Sequence, residues 1–362
     1  MPAKVPLLLV WLALQAPHVV RTWPGMRRLF SDRFFCFLQH VAVVRRFPAR
    51  RPFYNDVYYH VKTSRLLGGS LLSRVTDKDL MKAHVTEILG EGHVVPTIAI
   101  LTTAEQVRSF AYPARCCIKP THSCGQFINR KAGEPLDLTQ IASWLKIDYH
   151  ATSGEVNYRD LTPKIIVEEL VFDNENPIDI KIHCIAGKAK WIEAVGDRRG
   201  KLLGLCFDHE WNEQPFIDFY LKPGDIFQRP RNLAAMIGGA EKLARDFFGV
   251  RIDCYTNGES YVVGEITTCP SGAMATFKPP EAEVLVSKLL FEHVTHAQWE
   301  SFFYFVATIG VRPISKARSD RRFSTRSPIR SLSFSGRVST SVLPSTFRPI
   351  RGNRPGMAAD RI

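Results

Sequence analysis

The stretch Val250–Gly272, VRIDCYTNGESYVVGEITTCPSG, constrains the fold more than any other. Val250–Tyr255 and Tyr261–Ile266 are rich in β-branched and aromatic residues, which favour strands. Thr256-Asn257-Gly258-Glu259 between them reads as the turn of a β-hairpin, because Asn and Gly tolerate positive φ. Three charged residues, Arg251, Asp253 and Glu265, interrupt these otherwise apolar strands. A buried charge is costly unless it is paired or binds a metal. Side chains alternate faces along a strand. Asp253 and Glu265 therefore share a face only if paired residue numbers sum to an even value, as with Arg251 opposite Glu265. A three-residue turn at Asn257-Gly258-Glu259, or a bulge at Gly264, gives that parity. A two-residue Asn-Gly turn does not. The plain alternative is an edge hairpin with solvated charges.

Charge is uneven along the 362 residues, although the total is +13. Residues 1–52 carry nine Lys/Arg against one acid, and residues 311–362 carry twelve against two. The middle, 53–310, keeps 27 basic and 32 acidic residues, so the basic character belongs to the flanks. It does not describe a basic groove on a folded face, and no nucleic-acid partner is expected. The eight Cys form no Cys-x-x-Cys pair, which argues against zinc. Several lie in apolar, strand-like runs, as reduced thiols in a cytoplasm would.

The N-terminal segment admits three readings. Val5–Ala16 resembles a short signal-peptide apolar region and is too short to span a bilayer. Met26–Val44, apolar and flanked by Arg, suits contact with a membrane surface. An extension without a core is the third, with the fold beginning near Phe53. From about Val311 onward, Arg, Ser and Pro alternate with few aliphatics, so a disordered tail is expected.

Between the flanks, helices and strands mix. Thr76–Leu89 is a predicted amphipathic helix with Thr76 as N-cap and Gly90 closing it. Val94–Leu101 is a strand with Pro96 at its edge. Arg115–Pro120 is an apolar strand carrying Lys119, followed by the loop 121–125 and a strand from Gln126 to Arg130. Such a loop can offer backbone N–H groups to phosphate, although it is not a Walker loop. Asp137–Ile147 is a predicted helix, and Lys164–Leu170 a buried strand with two glutamates. Ile178–Ala186 alternates strictly, which places Asp179, Lys181 and His183 on one face. Strands at 190–195 and 202–207 and a helix from Pro230 to Phe248 complete the region. Hairpins rather than βαβ repeats argue for α+β.

This succession resembles the ATP-grasp enzymes. It is carried by Asp77-Lys78, Cys117-Ile118-Lys119-Pro120, the small-residue loop, Ile166-Val167-Glu168-Glu169, Val250-Arg251-Ile252-Asp253 and Gly264-Glu265-Ile266-Thr267. DIKIHCIAGK (179–188), RPRNL (229–233) and the Asp253/Glu265 pair are similar to the teichuronopeptide-biosynthesis, TupA-like branch, over about 75 to 290. The resemblance implies two α+β subdomains with mainly antiparallel sheets that grip ATP. The N-terminal part would be 53–115 and the nucleotide- and metal-binding core 116–295, with a helix remnant and tail over 296–362.

By the same resemblance, Lys78 and Lys119 would contact ATP phosphates, Lys119 reaching the adenine side as well. Ser123 and Gly125 belong to the loop that would close over the β- and γ-phosphates. Glu168 or Glu169 would bind adenine or ribose. Asp253 and Glu265, with Thr267 as a weaker ligand, would hold Mg²⁺. Arg251 would stabilise the oxyanion of a tetrahedral intermediate, and Lys181 is the second catalytic candidate. Elementary chemistry agrees, since Mg²⁺ takes one or two carboxylates plus phosphate oxygens, and a nucleotide needs cations opposite. Two departures from the family stand out: Thr267 replaces the usual Asn, and the loop has one glycine. The implied reaction is ATP- and Mg²⁺-dependent carboxylate–amine ligation on a small-molecule or polysaccharide-precursor substrate. A sugar phosphotransferase and a glycosyltransferase-like nucleotide binder are the alternatives. Location would be cytoplasmic, with membrane contact through the basic termini.

Overall fold

The computed structural model describes residues 14–15 and 30–308, apart from 65–67, 175–176, 199–200, 219–220 and 224–226. Nearly all of the signal-like stretch Val5–Ala16, and the whole tail from Val311, lie outside the described residues. Among the described residues, no helix is long and apolar enough to cross a membrane.

Helices α1 (Asp32–Val44), α2 (Tyr54–Thr63), α3 (Ser70–Thr76) and α4 (Leu80–Leu89) precede the sheets. The expectation that folding begins near Phe53 is corrected here. Phe35, Leu38 and Val41 of α1 are buried, as are Tyr54, Val57 and Tyr58 of α2. The apolar face proposed for a membrane surface is turned into the protein. The helix expected over Thr76–Leu89 is preceded by a separate one: Thr76 ends α3, and α4 begins at Leu80. Asp77, not Thr76, caps the second, its Oδ1 accepting from the backbone N–H of Asp79 at 2.9 Å. A side-chain acceptor at a helix start satisfies donors that have no partner within the helix.

A four-stranded antiparallel sheet follows, made of β1 (Thr97–Leu101), β2 (Cys116–Pro120), β3 (Ile128–Arg130) and β4 (Ile165–Glu168). Its order is β1-β4-β2-β3. Ile118, Ile165 and Val167 pack against α5 (Ala104–Ser109) and α6 (Leu138–Trp144), as Val107, Ile141 and Trp144 show. Asp137 caps α6 as expected, accepting from Thr139 and Gln140 N–H.

The larger sheet holds β5 (Asp179–Ile185), β6 (Lys188–Arg198), β7 (Lys201–Asp208), β9 (Lys222–Pro223), β10 (Gly249–Thr256) and β11 (Tyr261–Thr267). Its order is β11-β10-β5-β6-β7-β9, antiparallel except where β9 joins β7. Strands β8 (Ile217–Asp218) and β12 (Phe277–Lys278) form a small pair beside it. One face carries Ile180, Ile182, Ile192, Ile252 and Cys254 and packs on α4 and on α7 (Leu233–Leu243). The other face is aromatic at one end, where Trp191 meets Tyr54 and Phe277. Helices α8 (Ala282–Phe291) and α9 (His296–Thr308) close over that end. The opposite end of the same face is polar and holds the site.

Candidate active site

The hairpin meets the parity requirement through a bulge. Asp253 pairs with Glu265 and Arg251 with Thr267, but Cys254 pairs with Val263, so Gly264 is skipped. The Arg251–Glu265 pairing given as an example of even parity is not the one observed. Gly264 is also where the ring of Tyr255 lies across the bulge. A Cβ there would stand 2.5 Å from Tyr255 Cε2, closer than side-chain atoms approach.

Asp253 is the hub of the large-sheet wall. Arg251 donates from Nε to its Oδ1 at 2.6 Å and from Nη2 to its Oδ2 at 2.7 Å. Lys181 donates to the same Oδ2 at 3.0 Å. Burial alone would raise the Asp253 carboxyl, but Arg251 and Lys181 outweigh it and hold the group far below the usual range. Lys181 also pairs with Asp179. There burial wins over the lysine, and Asp179 is pushed up to about 6. Its Oδ1 is buried without a hydrogen-bond partner. Arg251 Nη2 reaches Thr267 Oγ1 at 3.2 Å, and that hydroxyl donates to Glu265 at 3.4 Å. Behind this row, His183 meets Glu193 at 2.7 Å, both buried.

The small-sheet wall is cationic. Lys119 of β2 pairs with Glu168 at 2.7 Å, and Lys82 of α4 pairs with the other Glu168 oxygen at 2.5 Å. Both Glu168 oxygens are thus paired with lysines. Glu169 is exposed and borders a separate hollow with Arg115 and Phe172. Lys78 is buried and donates to the Ser123 carbonyl at 2.8 Å. The loop 121–125 is tied down by Thr121 on Asp77 at 3.3 Å and by Ser123 on Gln126 at 3.0 Å. Gly125 has φ 89°, a conformation that suits only glycine well, and an added Cβ would meet nothing.

The two walls face one cavity of about 240 Å³. Lys78, Lys119, Ser123, Gly125, Glu168, Lys181, Arg251, Asp253 and Glu265 all line it. Of the residues singled out from the sequence, Glu169 and Thr267 are not on its lining. The carboxylates of the large-sheet wall are Asp179, Asp253 and Glu265, hard oxygen donors that fit Mg²⁺ rather than a soft metal. Among the described residues, no group of three or more His, Cys, Asp or Glu could hold a metal alone. The donor set suits a cation that shares its shell with phosphate oxygens.

Sequence reasoning left two participants without a role: Lys82 and Asp179. Lys82 stands one helical turn beyond Lys78, and Asp179 shares a strand face with Lys181. Those spacings were the available signals, but neither names a partner.

Two mainly antiparallel sheets thus present lysines and carboxylates to one cavity, a set of groups that could hold a polyanion together with a hard cation. The chain belongs to the TupA-like ATP-grasp family, whose sequence profile matches residues 62–290. No curated protein matches it. Among solved structures, it is similar to the D-alanine–D-alanine ligase of Helicobacter pylori, at 11% identity and a TM-score of 0.32. That match covers 65% of this chain and 58% of the other, so the chain spans less than two thirds of that relative's length. The Coxiella burnetii D-alanine–D-alanine ligase gives 14% identity, a TM-score of 0.36, and coverage of 65% and 57%. The ATP-grasp ligase PsnB, complexed with minimal precursor, Mg and ADP, gives 11%, 0.32, and coverage of 73% and 72%. Assignment to the family rests on the profile.

Proposed function

We propose that this protein is an ATP-dependent carboxylate–amine ligase that works with Mg²⁺. The observation that carries the proposal is the division of charge across one cavity: Lys78 and Lys119 on one wall, Asp253 and Glu265 on the other. A nucleoside triphosphate needs both, cations for its phosphates and carboxylates for its metal.

In this reading Lys78, Lys119 and the N–H groups of loop 121–125 hold the phosphates. Asp179, with its unpartnered Oδ1, accepts from a ribose hydroxyl, a role first expected of Glu168 or Glu169. Asp253 and Glu265 hold Mg²⁺, which when bound neutralises charge on the transferred phosphoryl group. A substrate carboxylate attacks the γ-phosphorus, the bond to the β-phosphate oxygen breaks, and ADP leaves. An amine then attacks the acyl phosphate, and phosphate departs. Arg251 faces the carbonyl oxygen that becomes negative in that addition, and Lys181 keeps Asp253 and Asp179 in place. The family resemblance suggests as carboxylate donor a uronic acid or acidic amino acid of a cell-surface polymer; that step is analogy with the family.

The test is to incubate the protein with MgATP and panels of such acids and amines, measuring ADP and product together. An amide formed in step with ADP is the expected result. A phosphorylated sugar without amide would replace the ligase reading with a phosphotransferase. A nucleotide sugar that stabilises the fold more than ATP does would replace it with a glycosyltransferase-like binder.

A further inference from the structure

Among the described residues, Glu168 is the one carboxylate on the small-sheet wall, and it has two lysines. It ends β4, with Thr97 of β1 opposite it on one side and Cys117 of β2 on the other. The lysines differ in how they are held. Lys82 Nζ donates to the Val95 carbonyl at 2.7 Å, to Thr97 Oγ1 at 2.6 Å, and pairs with Glu168 at 2.5 Å. An ammonium has three N–H donors, so Lys82 is saturated. It does not line the cavity. Lys119 does line it, and its ammonium pairs with Glu168 at 2.7 Å.

We infer that Lys82 is a positioning residue that balances the charge of Glu168 so that Lys119 can give its own charge to a nucleotide. The triad carries two positive charges and one negative. Lys82, anchored to β1, neutralises the glutamate, and one positive charge is left at the cavity. Without Lys82, Glu168 would be buried with Lys119 as its sole counter-ion. Moving Lys119 toward phosphate would then strand a buried carboxylate, which is costly. Nothing in the geometry brings Lys82 to the nucleotide. Its effect must pass through Glu168, and that gives the test its form. The inference rests on the ATP-binding reading above.

The experiment is calorimetric titration of MgATP into the full-length wild type, Lys82→Met, Lys82→Arg, Glu168→Gln and the Lys82→Met/Glu168→Gln double variant, each with its melting temperature. Lys82→Met is expected to weaken ATP binding about tenfold, about 1.4 kcal/mol. Lys82→Arg should recover most of that loss. With Glu168 neutral, Lys82 should no longer matter, so Glu168→Gln and the double variant should bind ATP within about threefold of each other. That comparison decides the matter even if Lys82→Met alone does not fold. A further tenfold loss on going from Glu168→Gln to the double variant would overturn the inference, because Lys82 would then act on the nucleotide directly. Unchanged binding in folded Lys82→Met would overturn it as well. Failure of the wild type to bind MgATP would instead remove the functional reading on which it stands.

Discussion

At the scale of single residues, the site is a set of carboxylates, of which Glu168, Asp179 and Asp253 are paired with cations. Asp253 is held by a forked Arg251 and by Lys181. If Asp253 and Glu265 share a metal, Glu265→Gln and Asp253→Asn keep the shape but remove charge. Both should cut turnover severely and raise the Mg²⁺ needed for half-maximal rate. Arg251→Ala should leave the Mg²⁺ requirement near normal and lower kcat by about 10²–10³-fold, with little change in the KM for ATP. Arg251→Lys should rescue poorly, since an ammonium cannot reproduce the planar fork on Asp253. If these residues were only cross-strand partners, all four variants would lose a little stability and keep their rate. That Asp253 and Glu265 share a face only with a three-residue turn or a bulge at Gly264 was legible in the sequence, because side chains alternate along a strand; which residue stands opposite Glu265 was not. The ties of Lys82 to Val95, Thr97 and Glu168 were not, because those partners are brought together only by the sheet.

At the scale of elements, the bulge at Gly264 sets which charges meet. Gly264→Ala would force the Tyr255 ring off the bulge. It should cost about 1–3 kcal/mol in urea unfolding, the range for overpacking, and disturb the carboxylate wall beside it. The segment around Glu155 carries a second prediction. Burial pushes Glu155 up to about 7, with Lys62 opposing and the charge of Glu265 adding. Below the ordinary carboxylate range, folded and unfolded chains both hold the proton. As pH rises toward 7 the unfolded chain releases it first, so stability falls across that window and the loss is complete above it. The shift corresponds to about 3 kcal/mol. Glu155→Gln lacks this loss, so in metal-free urea melts it should gain about that much on wild type between pH 5 and pH 8. A constant difference between the two proteins would mean that Glu155 is already ionised in the fold. The start of α4 was legible to within a few residues, but not the cap, because Thr76 and Asp77 both carry a capping oxygen and only the folded backbone brings that of Asp77 onto the Asp79 N–H.

At the scale of the whole molecule, strands and hairpins of the centre followed from alternation and turn residues, and the α+β class with them. The N-terminal boundary did not. Helix α1 reads as an apolar stripe between arginines, and its burial depends on contacts distant in sequence. Gly154 is one of them: a Cβ there would stand 2.8 Å from Cys36 Sγ. Burying Phe35, Leu38 and Val41 is worth about 1.5–3 kcal/mol each. That sum rivals the net stability of a typical domain. Removal of residues 1–52 should therefore abolish cooperative unfolding, as followed by circular dichroism. A truncated chain with an unchanged melting temperature would show that α1 is dispensable. The central claim is that the two walls of the cavity grip one nucleotide. Calorimetric titration of MgATP into wild type, Lys119→Ala and Glu265→Gln tests it most directly. One site per chain is expected, weakened at least tenfold by Lys119→Ala and no longer strengthened by Mg²⁺ in Glu265→Gln. Unchanged affinity in folded Lys119→Ala, or the same Mg²⁺ dependence in Glu265→Gln as in wild type, would contradict it.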